Sequence, residues 1–132
     1  MYALVNNIEA YPEFLPWCKN AEILKPGEYK LTARVALETG KIKQSFMTEN
    51  TMQPGRSIEM NLIRGPFKHL KGHWQFNPED KDQSTVSLDM EFEFKNKLLK
   101  LALNSAFNKI MESLVSSFIN RAEAIYGRPG KY

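Results

Sequence analysis

From Asn96 to Tyr126 apolar residues recur every three or four positions without interruption, and a pattern of that length fits one long amphipathic helix. Leu99, Leu103, Phe107, Ile110, Leu114, Phe118, Ala122 and Ile125 share one face. Lys100, Asn104, Asn108, Glu112, Ser116, Asn120 and Glu123 lie mostly on the other. Asn96 is placed to cap the start, Gly127 to take the left-handed position past the end, and Pro129 to stop continuation. At about 1.5 Å rise per residue the helix is roughly 46 Å long. Everything before it reads as short strands. One long helix covers only one face of a curved sheet, and the space between the two is where a small apolar ligand would sit. Phe107, Met111 and Phe118 on the stripe are either plain core or the walls of such a space.

Between Asn20 and Lys95 turn signals arrive at regular intervals: Pro26-Gly27, Thr39-Gly40, Pro54-Gly55, Gly65-Pro66 and Asn77-Pro78. The segments between them alternate with period two. Tyr29, Leu31, Ala33, Val35 and Leu37 take one parity; so do Ile58, Met60 and Leu62; so do Val86, Leu88, Met90, Phe92 and Phe94. One wet face and one dry face mark an antiparallel sheet. Six strands in a meander are predicted, at roughly 20–25, 28–38, 41–52, 57–64, 68–76 and 84–95. The third is irregular, because Ile42, Gln44, Phe46, Thr48, Asn50 and Met52 share a face on which three side chains are polar. Either a bulge turns part of that strand to solvent, or the three polar groups meet the polar head of a ligand.

The first eighteen residues do not read as strand. Tyr2, Leu4, Val5 and Ile8 have helical spacing, a break is predicted at Tyr11, and a second short turn around Pro12 to Leu15. The cluster Tyr11, Phe14, Leu15 and Trp17 is expected to plug one end of the helix–sheet space. A chain of 132 residues reads as one domain spanning 1–132, with an ordinary 42% of hydrophobic residues and no run of membrane-spanning length. The single cysteine, Cys18, excludes an internal disulfide framework and fits a cytoplasmic setting. The net charge of +3 is mild; Lys and Arg are scattered, and nothing resembles a DNA-binding arm.

A search for catalytic chemistry returns little. His69 and His73 lie about 13 Å apart along one strand, too far to share a metal, and have the parity of the wet face. Nucleophile elbow, zinc-protease, phosphate-loop and dinucleotide motifs are missing from the sequence. Cys18 follows an aromatic cluster and reads as a packed thiol. Glu91 and Glu93 point to solvent from one strand.

Three segments carry a family resemblance. Leu4-Val5-Asn6-Asn7-Ile8-Glu9-Ala10-Tyr11-Pro12-Glu13-Phe14-Leu15-Pro16-Trp17-Cys18 resembles the opening signature of the coenzyme Q-binding, polyketide-cyclase-like family of START-like domains. So do Met60-Asn61-Leu62-Ile63-Arg64-Gly65-Pro66-Phe67-Lys68 with Leu70, Gly72, Trp74 and Phe76, and Asp89 through Leu99. The resemblance spans nearly the whole chain and is strongest to the bacterial ribosome association toxin branch. It implies an α+β helix-grip fold, in which an antiparallel curved sheet wraps a long C-terminal helix. Members of this family open with a strand before the first helix, whereas Met1 here falls inside that helix. One strand is therefore expected to be missing, with a sheet edge left open to a second copy of the chain. Relatives also carry an acidic residue before the Gly-Pro-Phe turn, where this chain has Arg64.

The resemblance implies three classes of function: a non-enzymatic carrier of ubiquinone or another isoprenoid lipid, a regulator that binds the large ribosomal subunit and blocks subunit association, and a polyketide cyclase. No cofactor or metal is required by the first two, which are compatible because one uses the interior and the other the surface. The expected cavity lies between Leu103, Phe107, Met111, Leu114 and Phe118 of the helix and Val35, Leu37, Phe46, Met60, Leu62, Trp74, Met90, Phe92 and Phe94 of the sheet. Lys41, Lys43, Arg64, Lys68 and Lys71 are candidates for one ribosome-facing basic patch, or else for an ordinary solvated lysine face.

Overall fold

A computed structural model describes residues 2–40, 42–78 and 84–126. A short helix α1 (Tyr2–Asn6) and a 3-10 helix (Ile8–Glu13) lead into six strands: β1 (Cys18–Lys25), β2 (Lys30–Thr39), β3 (Ile42–Gln53), β4 (Ser57–Arg64), β5 (Phe67–Pro78) and β6 (Ser84–Phe94). The chain ends in α2 (Lys97–Tyr126), 30 residues and therefore about 45 Å long. The strands form one antiparallel sheet in sequence order, with β1 and β6 at its edges. The six-strand meander and the long helix of the helix-grip arrangement are both present.

Local chemistry accounts for the elements. The Asn96 side-chain oxygen accepts a hydrogen bond from the backbone N–H of Leu99 at 2.9 Å and so caps α2. The residues proposed to end it, Gly127 and Pro129, lie outside the described part. Gly40 and Gly55 hold the β2–β3 and β3–β4 turns with positive φ of 59° and 77°. The stripe Leu103, Phe107, Ile110, Leu114 and Phe118 is buried against Leu31, Ala33, Val35, Leu37, Met52, Ile58, Leu70, Trp74, Phe76 and Phe94 of the sheet. Among the described residues no helix is long and apolar enough to cross a membrane.

Four expectations are corrected. Pro12 does not break the N-terminal segment: the chain turns at Asn7, and Pro12 sits inside the 3-10 helix, where Tyr11 O still accepts from Phe14 and Leu15. Tyr29 is 62% exposed although it has the parity of the dry face, because β2 begins only at Lys30. Asn77-Pro78 is not a turn but the end of β5, paired with Thr85 and Ser84 of β6; pairing with β4 stops at Gln75, so this end of β5 is bonded on one side only, which tolerates proline. Ile125 is about half exposed, as the last turn of α2 runs past the sheet.

Candidate functional site

The inner face of β3 carries the polar residues that the sequence left undecided. A bulge does occur beside them, but in the partner strand. Met47 opposes Arg64 and Thr48 opposes Leu62, so the extra residue is Ile63 of β4, which is pushed outward and half exposed. The direction of β3 is kept, and Thr48 and Asn50 face inward at 5% and 4% exposure. The Thr48 hydroxyl donates to Asn50 Oδ1 at 2.8 Å. The amide nitrogen of the same side chain carries two further donors.

That amide borders a cavity of about 70 Å³ between α2 and the sheet. Of the residues proposed from sequence, Val35, Leu37, Phe46, Met60, Trp74 and Met90 line it from the sheet, and Phe107, Met111, Leu114 and Phe118 from the helix. Phe94 and Leu103 instead border a smaller void of about 20 Å³ that shares Leu37, Phe46 and Phe107 with the first. Leu62 and Phe92 border neither and pack around the Phe67–Phe94–Phe107 cluster. Ile8, Ala33, Leu70 and Ile110 complete the main wall without having been proposed, although their parity or spacing pointed inward. Of the N-terminal cluster expected to plug this space, Tyr11 and Trp17 line the cavity and Phe14 and Leu15 do not.

Three of the lining residues are methionines, Met60, Met90 and Met111, and two of them are seated over Gly72. A side-chain carbon at Gly72 would meet Met60 Cε at 2.5 Å and Met90 Sδ at 3.1 Å. The absence of a side chain there is what lets the methionine tips lie flat on the sheet. Methionines are flexible and polarisable, so this wall can be displaced by a guest larger than the resting void.

The cavity wall holds one ionisable group, Tyr11. Its hydroxyl donates to the Val5 carbonyl, and burial holds its pKa well above the ordinary tyrosine range. Cys18 is buried nearby, with its thiol donating weakly to Asn20 O, and burial pushes its pKa up to about 11. His69 and His73 lie on the outer face beside Glu93 at 3.7 Å and Glu59 at 3.4 Å. Among the described residues no three His, Cys, Asp or Glu side chains are gathered as metal ligands would be.

The basic residues proposed as one patch are dispersed. Lys43, Arg64 and Lys71 lie on the outer face of β3, β4 and β5, with Lys43 opposite Glu38 and Lys71 opposite Glu91. Lys68 falls in a register shift between Phe67 and His69 and lies beside Lys95, Lys97 and Lys100 at the start of α2. Lys41 lies outside the described residues.

Residues 1–119 match the family model described as "Polyketide cyclase / dehydrase and lipid transport". The chain belongs to this family. Within it, the chain is 41% identical over 127 residues to the ribosome association toxin RatA of Vibrio cholerae, covering 96% of this chain and 88% of that one. It is 26% identical to the mitochondrial coenzyme Q-binding protein COQ10 of Dictyostelium discoideum, over 100% of this chain and 66% of that one. Among solved structures it is similar to the Zhui aromatase/cyclase of Streptomyces, with a TM-score of 0.81 at 14% identity, covering 92% of this chain and 84% of that one. The last likeness is one of fold alone. The family membership agrees with the START-like arrangement read from the three sequence segments.

Proposed function

We propose that this member of the family is a non-catalytic binding protein that holds an apolar molecule bearing a carbonyl, of the quinone or isoprenoid class, between α2 and the sheet. The observation that carries this reading is the Asn50 amide, 4% exposed beside Thr48 on the wall of an otherwise apolar cavity. A quinone ring offers carbonyl oxygens to that N–H and a flat face to Trp74 and Phe118, whose rings already meet edge to face at 5.3 Å. The resting void of about 70 Å³ is smaller than such a ring, so binding requires Met60, Met90 and Met111 to swing aside. The similarity to a coenzyme Q-binding protein supports the same ligand class. A cyclase reading is weaker here, since Tyr11, whose proton is already engaged with Val5, is the one ionisable group on the wall.

The test is titration with a short-tailed ubiquinone analogue, read as quenching of tryptophan fluorescence, because Trp17 and Trp74 both line the cavity. Saturable quenching that weakens about tenfold in Asn50→Leu supports the reading. Quenching that never saturates, or that is unchanged in the variant, refutes it.

A second activity is favoured by the 41% identity to a protein named a ribosome association toxin. On this reading the outer surface binds the large ribosomal subunit and blocks subunit association. Co-sedimentation with isolated large subunits, falling steeply as salt rises, supports it. No co-sedimentation at low salt removes it.

A further inference from the structure

The start of α2 breaks two rules of an ordinary helix. Its first turn holds no acidic residue, although the helix N-terminus carries partial positive charge and favours carboxylates. It holds lysines instead: Lys97 and Lys100, with Lys95 just before the helix and Lys68 of β5 lining the same shallow groove. Of the acidic groups only Glu93 lies in that groove, and it is shared with His69 at 3.7 Å. None of these four lysines has an ion-pair partner among the described residues.

The second broken rule is apolar exposure. Leu98 and Leu101 are 77% and 83% exposed, the two most exposed large apolar residues described. They lie three apart, on a face separate from the buried stripe of Leu103, Phe107 and Ile110. The sheet covers the stripe and leaves these leucines in water.

Both features stand at one end of the molecule, near the smaller void. The Lys95 N–H donates to Pro66 O at 3.1 Å and ties the start of α2 to the β4–β5 turn. Pro66, Phe67, Phe94 and Leu103 border the smaller void, which shares Leu37, Phe46 and Phe107 as a common wall with the main cavity.

We propose that this end of the molecule docks on a lipid bilayer surface containing anionic headgroups, with Leu98 and Leu101 entering the acyl boundary and Lys68, Lys95, Lys97 and Lys100 meeting the headgroup phosphates. Exposed leucines ringed by lysines are the composition that binds at such an interface, where apolar burial and charge attraction add. RNA would use the lysines alone; exposed leucines are not stacking platforms and would gain nothing on a phosphate backbone. Docking here would set the smaller void near the lipid. The proposal concerns a surface separate from Asn50, and its failure leaves the ligand reading standing.

The experiment is flotation of the full chain with vesicles of phosphatidylcholine alone and of phosphatidylcholine mixed with phosphatidylglycerol. Binding is expected to the mixed vesicles and to be weak with the neutral ones. Leu98→Ser with Leu101→Ser is expected to reduce binding about tenfold or more. Lys97→Gln with Lys100→Gln is expected to reduce it about fivefold per lysine. All four side chains are exposed, so unchanged melting temperatures are expected and separate lost docking from lost fold. The proposal is overturned by absence of binding to the mixed vesicles at low salt. It is equally overturned if the leucine variant binds as the parent does, or if the lysine variant loses large ribosomal subunits while both variants keep the vesicles, which would make this end an RNA face.

Discussion

Thr48 and Asn50 stand two residues apart on the inner face of β3, joined by a 2.8 Å hydrogen bond from the threonine hydroxyl to the asparagine side-chain oxygen. Asn50 is set against Leu31 of β2 on one side and Met60 of β4 on the other. On the proposed reading the pair is the polar end of the ligand site. Removing only the threonine hydroxyl, in Thr48→Val, leaves the Asn50 oxygen buried and unpaired and is expected to cost about 1–3 kcal/mol in urea denaturation. Asn50→Leu orphans the Thr48 hydroxyl in turn and is expected to cost a similar amount, whereas Thr48→Val combined with Asn50→Leu removes both partners and is expected to be near neutral in the same measurement while weakening quinone binding. A near-neutral double variant that binds quinone as the parent does would contradict a site kept for a ligand.

Gly72→Ala tests the methionine wall. The added carbon would press on Met60 Cε and Met90 Sδ, both far ends of flexible side chains, so the fold gives way at about 1 kcal/mol. The tips are displaced into the cavity. Ligand affinity is therefore expected to fall more than stability does, by about tenfold, when calorimetric titration and thermal melts are compared. A variant that melts lower but binds as well as the parent would show that the methionines are filler.

The sequence was most legible where its pattern is long. The stripe from Leu99 to Phe118 spans many turns of a 3.6-residue period, and Val86 to Phe94 alternates without an error, so helix and strands follow from spacing alone. It was least legible where the answer lies in another strand. Nothing within β3 says whether Thr48 and Asn50 face in, because the bulge beside them sits at Ile63 of β4. Lys68 left the proposed patch for a similar reason: the register shift between Phe67 and His69 breaks the parity that would have placed it beside Lys71. Leu62 and Phe92 have inward parity yet miss the cavity, since parity gives the face of a residue and not its depth along the helix. The exposed Leu98 and Leu101 were visible as leucines but not as exposed, for only the sheet's extent decides what covers them.

Leu114→Trp tests whether the void is the site at all. Leu114 is 7% exposed and lines the cavity from the helix, so an indole there points into the open volume. Partial overpacking is expected to cost about 1–3 kcal/mol and to leave a cooperative melt. Quinone quenching is expected to vanish. Retained quenching in a folded Leu114→Trp protein would move the ligand elsewhere.

The last prediction concerns pH. Burial raises the Cys18 thiol from its ordinary value of 9.0 to about 11 and raises Tyr11 above its ordinary 10.0, so both are neutral when folded and ionise more easily when unfolded. The unfolded chain then binds fewer protons than the folded one in alkali, and stability falls as pH rises. The contribution of Cys18 is fully present below pH 9.0 and is lost progressively toward about pH 11, with Tyr11 extending the loss above 10.0. Melting temperature followed upward from neutral pH is expected to be flat and then to decline through this window, and Cys18→Ala is expected to shift the onset upward. Thiol labelling provides the independent check: at pH 8 Cys18, 4% exposed and protonated, is expected to react with a disulfide reagent only as fast as the chain opens, and rapid labelling of the folded protein would contradict its burial.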